Sequence, residues 1–165
     1  MLSHDCVYKT IDSPVGKLTL VARDDRLVAI LWENDKPGRV KLGSMTPGDS
    51  EPILLKTQTQ LNEYFSGRRT QFELELEFEG TPFQKQVWNA LLTIPFGEIR
   101  SYQQIATQLG NPKACRAVGA ANGKNPISIV APCHRVVGAS GALTGFAGGL
   151  EAKASLLQLE ANNRR

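Results

Sequence analysis

The residues best suited to chemistry are Cys133 and His134, adjacent in the chain and followed at once by Arg135. A thiolate is the nucleophilic form of cysteine, and positive neighbours favour it. The trio therefore reads as a low-pKa thiol beside a base. Neighbours on a strand point to opposite faces, so proton exchange between Cys133 and His134 needs a turn or a bridging water. Taken alone, the pair reads equally well as a buried structural cysteine with a chance neighbour. An imidazole acting as a base needs a third group to orient it. Leu150 to Ala161 has helical spacing, with apolar Leu150, Ala154, Leu156, Leu157 and Leu159. Glu160 lies four residues after Leu156, near the inward stripe. A buried carboxylate is costly without a hydrogen-bonding partner. His134 is the candidate, because His4 is the only other histidine.

The elements that must carry these groups change in period at Gly80. Before it, Val7–Ile11, Lys17–Arg23 and Leu27–Trp32 read as short strands, the first two joined by the turn Ser13-Pro14-Val15-Gly16. Residues 33–52, rich in Pro and Gly, read as a long surface loop. Leu54, Gln58, Leu61 and Phe65 recur at helical spacing and Gly67 follows as a stop. Residues 72–79 alternate apolar and Glu strictly, which predicts a strand with one solvated acidic face. After Gly80 the spacing is helical. Thr81, Pro82 and Gln84 form a capping-box start, with Phe83, Val87, Trp88, Leu91 and Leu92 as the core stripe and Pro95 as terminator. Ser101 and Gln104 form a second capping box, and Gly110 closes that helix. Asn111 and Pro112 predict a third helix running through Ala121, so a tight Gly110-Asn111 turn gives a helix-turn-helix pattern. That third helix is small-sided, with Arg116 as its one long side chain. Asn125 and Pro126 then open a β-branched run that predicts a strand delivering Cys133.

Composition limits what this machinery can be. The chain has 165 residues, 41% of them hydrophobic and 21% charged, which excludes disordered and fibrous classes. No apolar run approaches a membrane span, and the N-terminus carries no secretory pattern. Three cysteines without paired spacing point to free thiols in a reducing compartment, read as a bacterial-type cytoplasm. The net charge of +3 is unevenly placed. Residues 1–80 hold ten Lys and Arg against thirteen Asp and Glu, whereas residues 81–165 hold nine against three. The second half therefore attracts polyanions.

Pro132-Cys133-His134-Arg135-Val136, preceded by Asn125-Pro126, resembles the active-site motif of the O6-alkylguanine-DNA alkyltransferases. The likeness includes Phe83-Gln84 and Gln86-Val87-Trp88, Ile94 to Glu98, Ser101-Tyr102, Arg116 to Gly119, Gly141 to Gly149, Lys153 and Glu160. It covers roughly residues 72–161, and Ser13 to Gly16 is similar as well. The resemblance implies an α+β fold. An N-terminal unit, 1–80, would be ribonuclease H-like, with a small antiparallel sheet and a helix. A mainly helical C-terminal unit, 81–165, would hold the DNA-binding helix-turn-helix and the active site.

The activity so implied is DNA repair by irreversible, single-turnover transfer of an alkyl group from guanine O6 to the protein's own cysteine. Activity on O4-alkylthymine stays open. So do two other readings: a non-catalytic lesion-binding helix-turn-helix protein and a cysteine hydrolase. By the same resemblance Cys133 is the nucleophile, His134 deprotonates it through a water, and Glu160 holds the imidazole tautomer. Tyr102 donates toward the guanine and meets the target's phosphate, while Asn125 holds the turn before the active-site strand. Arg116 fills the gap left by the extruded base, and Ser101, Ala117 and Gly119 belong to the DNA contact in the minor groove. Pro132, Val136, Phe146, Ala147 and Gly148 line the substrate pocket. The implied partner is double-stranded DNA bound by a monomer, with cooperative assembly on DNA left open, and no membrane or cofactor. Phe146 stands where relatives often have Tyr, Ala147 where some have Ser, and Cys115 where Ala is expected. His4 and Cys6 are too few for the structural zinc of some relatives, so no metal is expected.

Overall fold

The computed structural model describes residues 5–164. Its first half is a four-stranded sheet in the order β3-β2-β1-β4 backed by one helix. Strands β1 (Cys6–Ile11), β2 (Leu18–Arg23) and β3 (Arg26–Trp32) run antiparallel. The β2–β3 hairpin turns on Asp24 and Asp25, both at positive φ, the mirror-image turn that matches strand twist. Edge strand β4 (Met45–Pro47) pairs parallel to β1 from inside the segment expected to be loop. It is only three residues long, and Pro47 is tolerated there because the strand lies at a sheet edge. Helix α1 (Pro52–Phe65) buries Leu54, Leu61 and Tyr64 against the sheet.

The second half is mainly helical. Helix α2 (Pro82–Leu91) begins with the expected capping box at Thr81 and Gln84, and ends before Leu92, which is exposed rather than in the core. A two-residue strand, β5 (Arg100–Ser101), leads into α3 (Tyr102–Gln108), capped by Ser101 and Gln104. Helix α4 (Cys115–Gly123) starts later than expected. Asn111 does not cap it. Its carbonyl accepts from Ala114 in the connecting turn, so the helix-turn-helix linker spans residues 109–114. Strand β6 (Val136–Val137) pairs with β5, and α5 (Leu150–Asn162) completes the chain.

Two expected strands are absent, for one reason. The outer edge of β3 is shared between two segments that each reach it once. Leu27 donates to Glu75 O (2.9 Å) and accepts from Glu77 N (3.0 Å), and Ile30 donates to Pro126 O (2.9 Å). Neither segment therefore builds a ladder. The alternation over 72–79 still sorts the faces: Phe72, Leu74, Leu76 and Phe78 pack on the core, while Glu77 and Glu79 pair with Arg23. Residues 127–131 lie in the same core, beside Leu20, Leu27 and Ile30. A second core, of Val87, Trp88, Leu91, Ile105, Val118 and Val136, surrounds Cys133. Gly80 joins the halves under the Trp88 ring, where a Cβ would come within 2.6 Å of the ring.

Candidate active site

Cys133, His134 and Arg135 form one turn of 3-10 helix, not a strand. The turn resolves the geometry that a strand forbids, since all three side chains now project inward and are buried. The approach to it is sharply folded. Ile129 adopts φ +74°, while Val130 N–H donates to Ser128 C=O at 2.9 Å. This is a γ-turn of the rare positive-φ kind, strained for a β-branched residue. At Pro132 a second γ-turn, of the ordinary hand (φ −81°, ψ 67°), closes with Cys133 N–H to Ala131 C=O at 2.8 Å. Asn125 braces the fold from inside. Its Nδ2 donates to Ala131 O at 2.8 Å and its Oδ1 accepts from Ile127 N at 3.1 Å.

Glu160 lies at the bottom of the site, 1% exposed. Its carboxylate accepts from five groups. His134 Nε2 lies at 2.7 Å, Arg135 Nε at 2.8 Å and Nη2 at 3.0 Å, Tyr64 OH at 2.6 Å and Gly97 N at 3.2 Å. Burial alone would raise this carboxyl's pKa. The hydrogen bonds and charges of His134 and Arg135 outweigh it and bring it down to about 2. An ionised Glu160 takes the His134 proton on Nε2. Nδ1 is then the unprotonated nitrogen, and it is buried with no hydrogen bond among the described residues. Arg135 also donates to Ile94 O at 2.6 Å and sits over the Phe96 ring.

The thiol departs from the low-pKa expectation. Burial pushes Cys133 up, against hydrogen bonds from Asn125 and Ser128 and the charges of Arg39 and Lys153. Burial likewise lowers His134, ahead of the opposing pull of Glu160. Desolvation wins at both groups, so the resting pair is neutral thiol and neutral imidazole. The arginine next in sequence does not create a thiolate, because its charge is spent on Glu160.

The other sequence-selected residues separate into distinct places. Tyr102 OH is hydrogen-bonded to Thr144 Oγ1. Ser101 Oγ accepts from Gln104 N at 3.0 Å as the α3 cap. Arg116 and Ala117 are exposed on α4, and Gly119 faces the Tyr102 ring from the same helix. Beside them is a recess of about 550 Å³, lined by Tyr102, Gly119, Ala120, Thr144 and Gly145 and rimmed by Lys36, Arg39 and Lys124. None of the five expected pocket residues lines it. Phe146 packs edge-on against Trp32 (5.3 Å between centroids), Ala147 packs against the first core, and Gly148 lies under the Trp32 ring. Val136 O accepts from buried Lys153 Nζ at 2.7 Å. Pro132 borders a separate groove with Phe72, Phe96 and Arg135. His4 lies outside the described residues, and Cys6 is buried beneath the sheet, within reach of Arg23 and Leu42 O.

Sequence reasoning missed several groups in contact with the site. Tyr64 carried only a core signal. Arg39 lay in the presumed loop, yet pairs doubly with Asp35 (2.7 and 2.9 Å) and donates to Asn125 O (2.8 Å). The four-residue Asp35–Arg39 spacing was its one legible trace. Thr144, Ser128 and Trp32 had no signal in spacing at all.

These features define a helix-turn-helix protein built around a buried thiol, an imidazole and a shared carboxylate. Family profiles described as "6-O-methylguanine DNA methyltransferase, ribonuclease-like domain" and "6-O-methylguanine DNA methyltransferase, DNA binding domain" match residues 6–78 and 82–162. The chain belongs to the 6-O-methylguanine DNA methyltransferase family. The methylated-DNA–protein-cysteine methyltransferase of Mycobacterium tuberculosis is 51% identical over 155 residues, covering 93% of this chain and 91% of that protein. The constitutive protein of the same name from Bacillus subtilis is 45% identical, covering 93% and 94%. A crystal structure of M. tuberculosis OGT in complex with DNA superposes with a TM-score of 0.88 at 49% identity, covering 95% of this chain and 94% of that one.

Proposed function

We propose that this protein repairs O6-alkylguanine in DNA by moving the alkyl group, once and irreversibly, to Cys133. The observation that carries the reading is the Glu160–His134 pair. It leaves a basic Nδ1 unpartnered in the polypeptide turn that also holds the buried Cys133 thiol. In the reaction Cys133 gives its proton to His134 Nδ1, directly or through a water, and the imidazolium is balanced by ionised Glu160. The sulfur then forms a bond to the alkyl carbon as the O6–carbon bond breaks. Guanine keeps that electron pair and takes up one proton, equal to the one His134 received. Tyr102 supplies the donor that steadies the departing guanine, with Thr144 as its resting partner.

The DNA reading follows from charge and shape. The exposed side of α4 offers Arg116, Ala117 and Ala120, so a backbone can approach a minor groove closely. Arg116 takes the place of the extruded base, and Ser101 and Gly119 border the same face. Phe146, Ala147 and Gly148, with Pro132 and Val136, lie behind the recess rather than in its lining and support it through the cores. The chain divides at Gly80 into units 1–80 and 81–165, with the segment that leads to the thiol turn, residues 127–131, packed into the core of the first. Three free cysteines support a reducing, cytoplasmic setting, and no described helix is long and apolar enough to cross a membrane.

Intact-mass measurement after mixing with a duplex containing O6-methylguanine tests the function. A gain of one methyl on Cys133, equal to protein in amount and without turnover, is the expected result. Retention of DNA with no mass change would return the chain to a lesion-binding role, and repeated product release would make it a hydrolase. Arg116→Ala is expected to slow repair of duplex DNA about tenfold more than reaction with free O6-methylguanine base, because extrusion costs a few kcal/mol only in the duplex. Equal losses in the two assays would remove Arg116 from that role.

A further inference from the structure

The Glu160 carboxylate is held by groups from both halves of the chain. Its Oε2 accepts from His134 Nε2 at 2.7 Å, from Arg135 Nη2 at 3.0 Å and from Tyr64 OH at 2.6 Å. Its Oε1 accepts from Arg135 Nε and Gly97 N. Of these donors Tyr64 alone comes from the first half, from the last turn of α1, across 96 residues of sequence. Its side chain is completely buried. The rings of Phe65, Phe72 and Phe96 surround it, with centroids 5.3, 5.5 and 6.1 Å away. The Phe96 ring also carries Arg135. Just beyond α1, Gly67 presses on Asn163 of α5, where an added Cβ would come within 2.5 Å. These contacts fix the hydroxyl at Oε2. Packing alone does not explain it, because another phenylalanine would fill the same space without the cost of burying a hydroxyl.

We propose that Tyr64 is a positioning residue of the reaction: its hydroxyl fixes the Glu160 carboxylate on His134 Nε2 and, by sharing Oε2, limits the carboxylate's pull on the imidazole, so that Nδ1 is free to take the Cys133 proton. This rests on His134 as the base of the repair reaction, and it gives the first half of the chain a part in the chemistry. An anion that accepts another hydrogen bond has less affinity for protons. Without Tyr64, Glu160 would hold imidazolium more tightly, and a protonated His134 accepts nothing from sulfur. Tyr64 itself transfers no proton. Burial, then the charge of Glu160, push its hydroxyl well above the ordinary tyrosine value, so it stays a donor throughout. The other charged and titratable groups around His134 are Glu160 and Lys153 from α5, Arg135 from its own turn, and the Cys133 thiol beside it.

The test reads His134 before any DNA is added. Histidine ring nitrogens, labelled with 15N, are titrated by NMR in the wild type, Tyr64→Phe, Glu160→Gln and the double variant, each carrying His4→Gln so that His134 alone is seen. Methyl transfer from an O6-methylguanine duplex is measured against pH in parallel. Tyr64→Phe removes one oxygen and keeps the ring. It is expected to raise the His134 midpoint by about half a pH unit. It should slow transfer about fivefold at neutral pH, and by more as pH falls, since His134 must be neutral to accept the proton. Both effects act through Glu160 and should vanish in the Glu160→Gln background. A shift that persists there overturns the proposal. A merely structural role would lower Tm while leaving the midpoint and the pH profile in place, and that result overturns it too. If Tyr64→Phe does not fold, the wild type decides: a cross-peak between the Tyr64 hydroxyl proton and the His134 Nε2 proton is expected, and its absence overturns the proposal. A shifted midpoint in Tyr64→Phe, with no methyl transfer by the wild type, would instead count against the repair reading.

Discussion

Cys133→Ala is expected to gain no methyl from O6-methylguanine DNA under any condition that saturates the wild type, while binding the lesion duplex with similar affinity. With Cys133 as the proposed acceptor, no partial activity survives its removal. The proposed binding surface lies elsewhere, on α4 and around the recess beside Tyr102, and a 3%-exposed side chain contributes nothing to it directly. The fold should tolerate the change. Burial holds Cys133 protonated, so no charge is left unpaired, and the cost is that of a small cavity, on the order of 1 kcal/mol. Intact mass, a duplex-binding titration and Tm decide it together. Methyl uptake by the variant would move the nucleophile to Cys6 or Cys115.

Glu160→Gln is the second large effect, and it strikes stability and rate together. The carboxylate is the common acceptor for His134, Arg135, Tyr64 and Gly97. An amide offers one acceptor oxygen and an NH2 that faces other donors, and it leaves the buried Arg135 charge without its counter-ion. Breaking such a pair costs roughly 3–5 kcal/mol, about 10 °C or more in Tm for a chain of this size. The pH dependence gives the sign. The carboxyl titrates at about 2 when folded, below its ordinary unfolded value near 4.3. Its contribution is thus fully present above pH ~4.3 and is lost as pH falls toward 2. His134, also lowered in the folded state, makes acid destabilising over a higher range, below its ordinary 6.5. The stability gap between wild type and Glu160→Gln should therefore narrow as pH drops below about 4, and an unchanging gap would contradict the assigned ionisation. Transfer should slow at neutral pH as well, since the His134 tautomer is no longer fixed.

The sequence speaks clearly wherever one physical signal dominates. Capping boxes at Thr81 and Ser101 locate two helix starts to the residue, and the Asp24-Asp25 dipeptide sits in its hairpin turn. Glu160 is traceable to an inward position on α5 by spacing alone. Leu156 is buried as its spacing predicts, but the rest of the α5 stripe differs for an instructive reason. Its buried stripe is Ala152, Lys153, Leu156 and Glu160, while Leu150 and Ala154 face outward. Hydrophobic periodicity cannot find a helix face whose purpose is to carry two charges into a polar site. The segments 72–79 and 127–131 mislead similarly. Both have strand-like composition, but a strand needs a neighbour along its whole length, and the edge of β3 is divided between them. The thiol's protonation state inverts because burial dominates, and Arg135, two residues on in sequence, is turned toward Glu160 in space. Trp32, Arg39 and Ser128 were out of reach, since a contact across 96 residues leaves no local periodicity.

A sulfur held protonated and nearly sealed from solvent has a bearing on the cell's diffusible chemistry. Peroxide, glutathione disulfide and free methylating agents all react with thiolates that they can reach, and Cys133 is buried, with its pKa raised by that burial. Small electrophiles that would exhaust a one-use protein on non-genomic carbon therefore meet a neutral, buried thiol. As the proposed acceptor, Cys133 is thereby held in reserve for a base brought into its site.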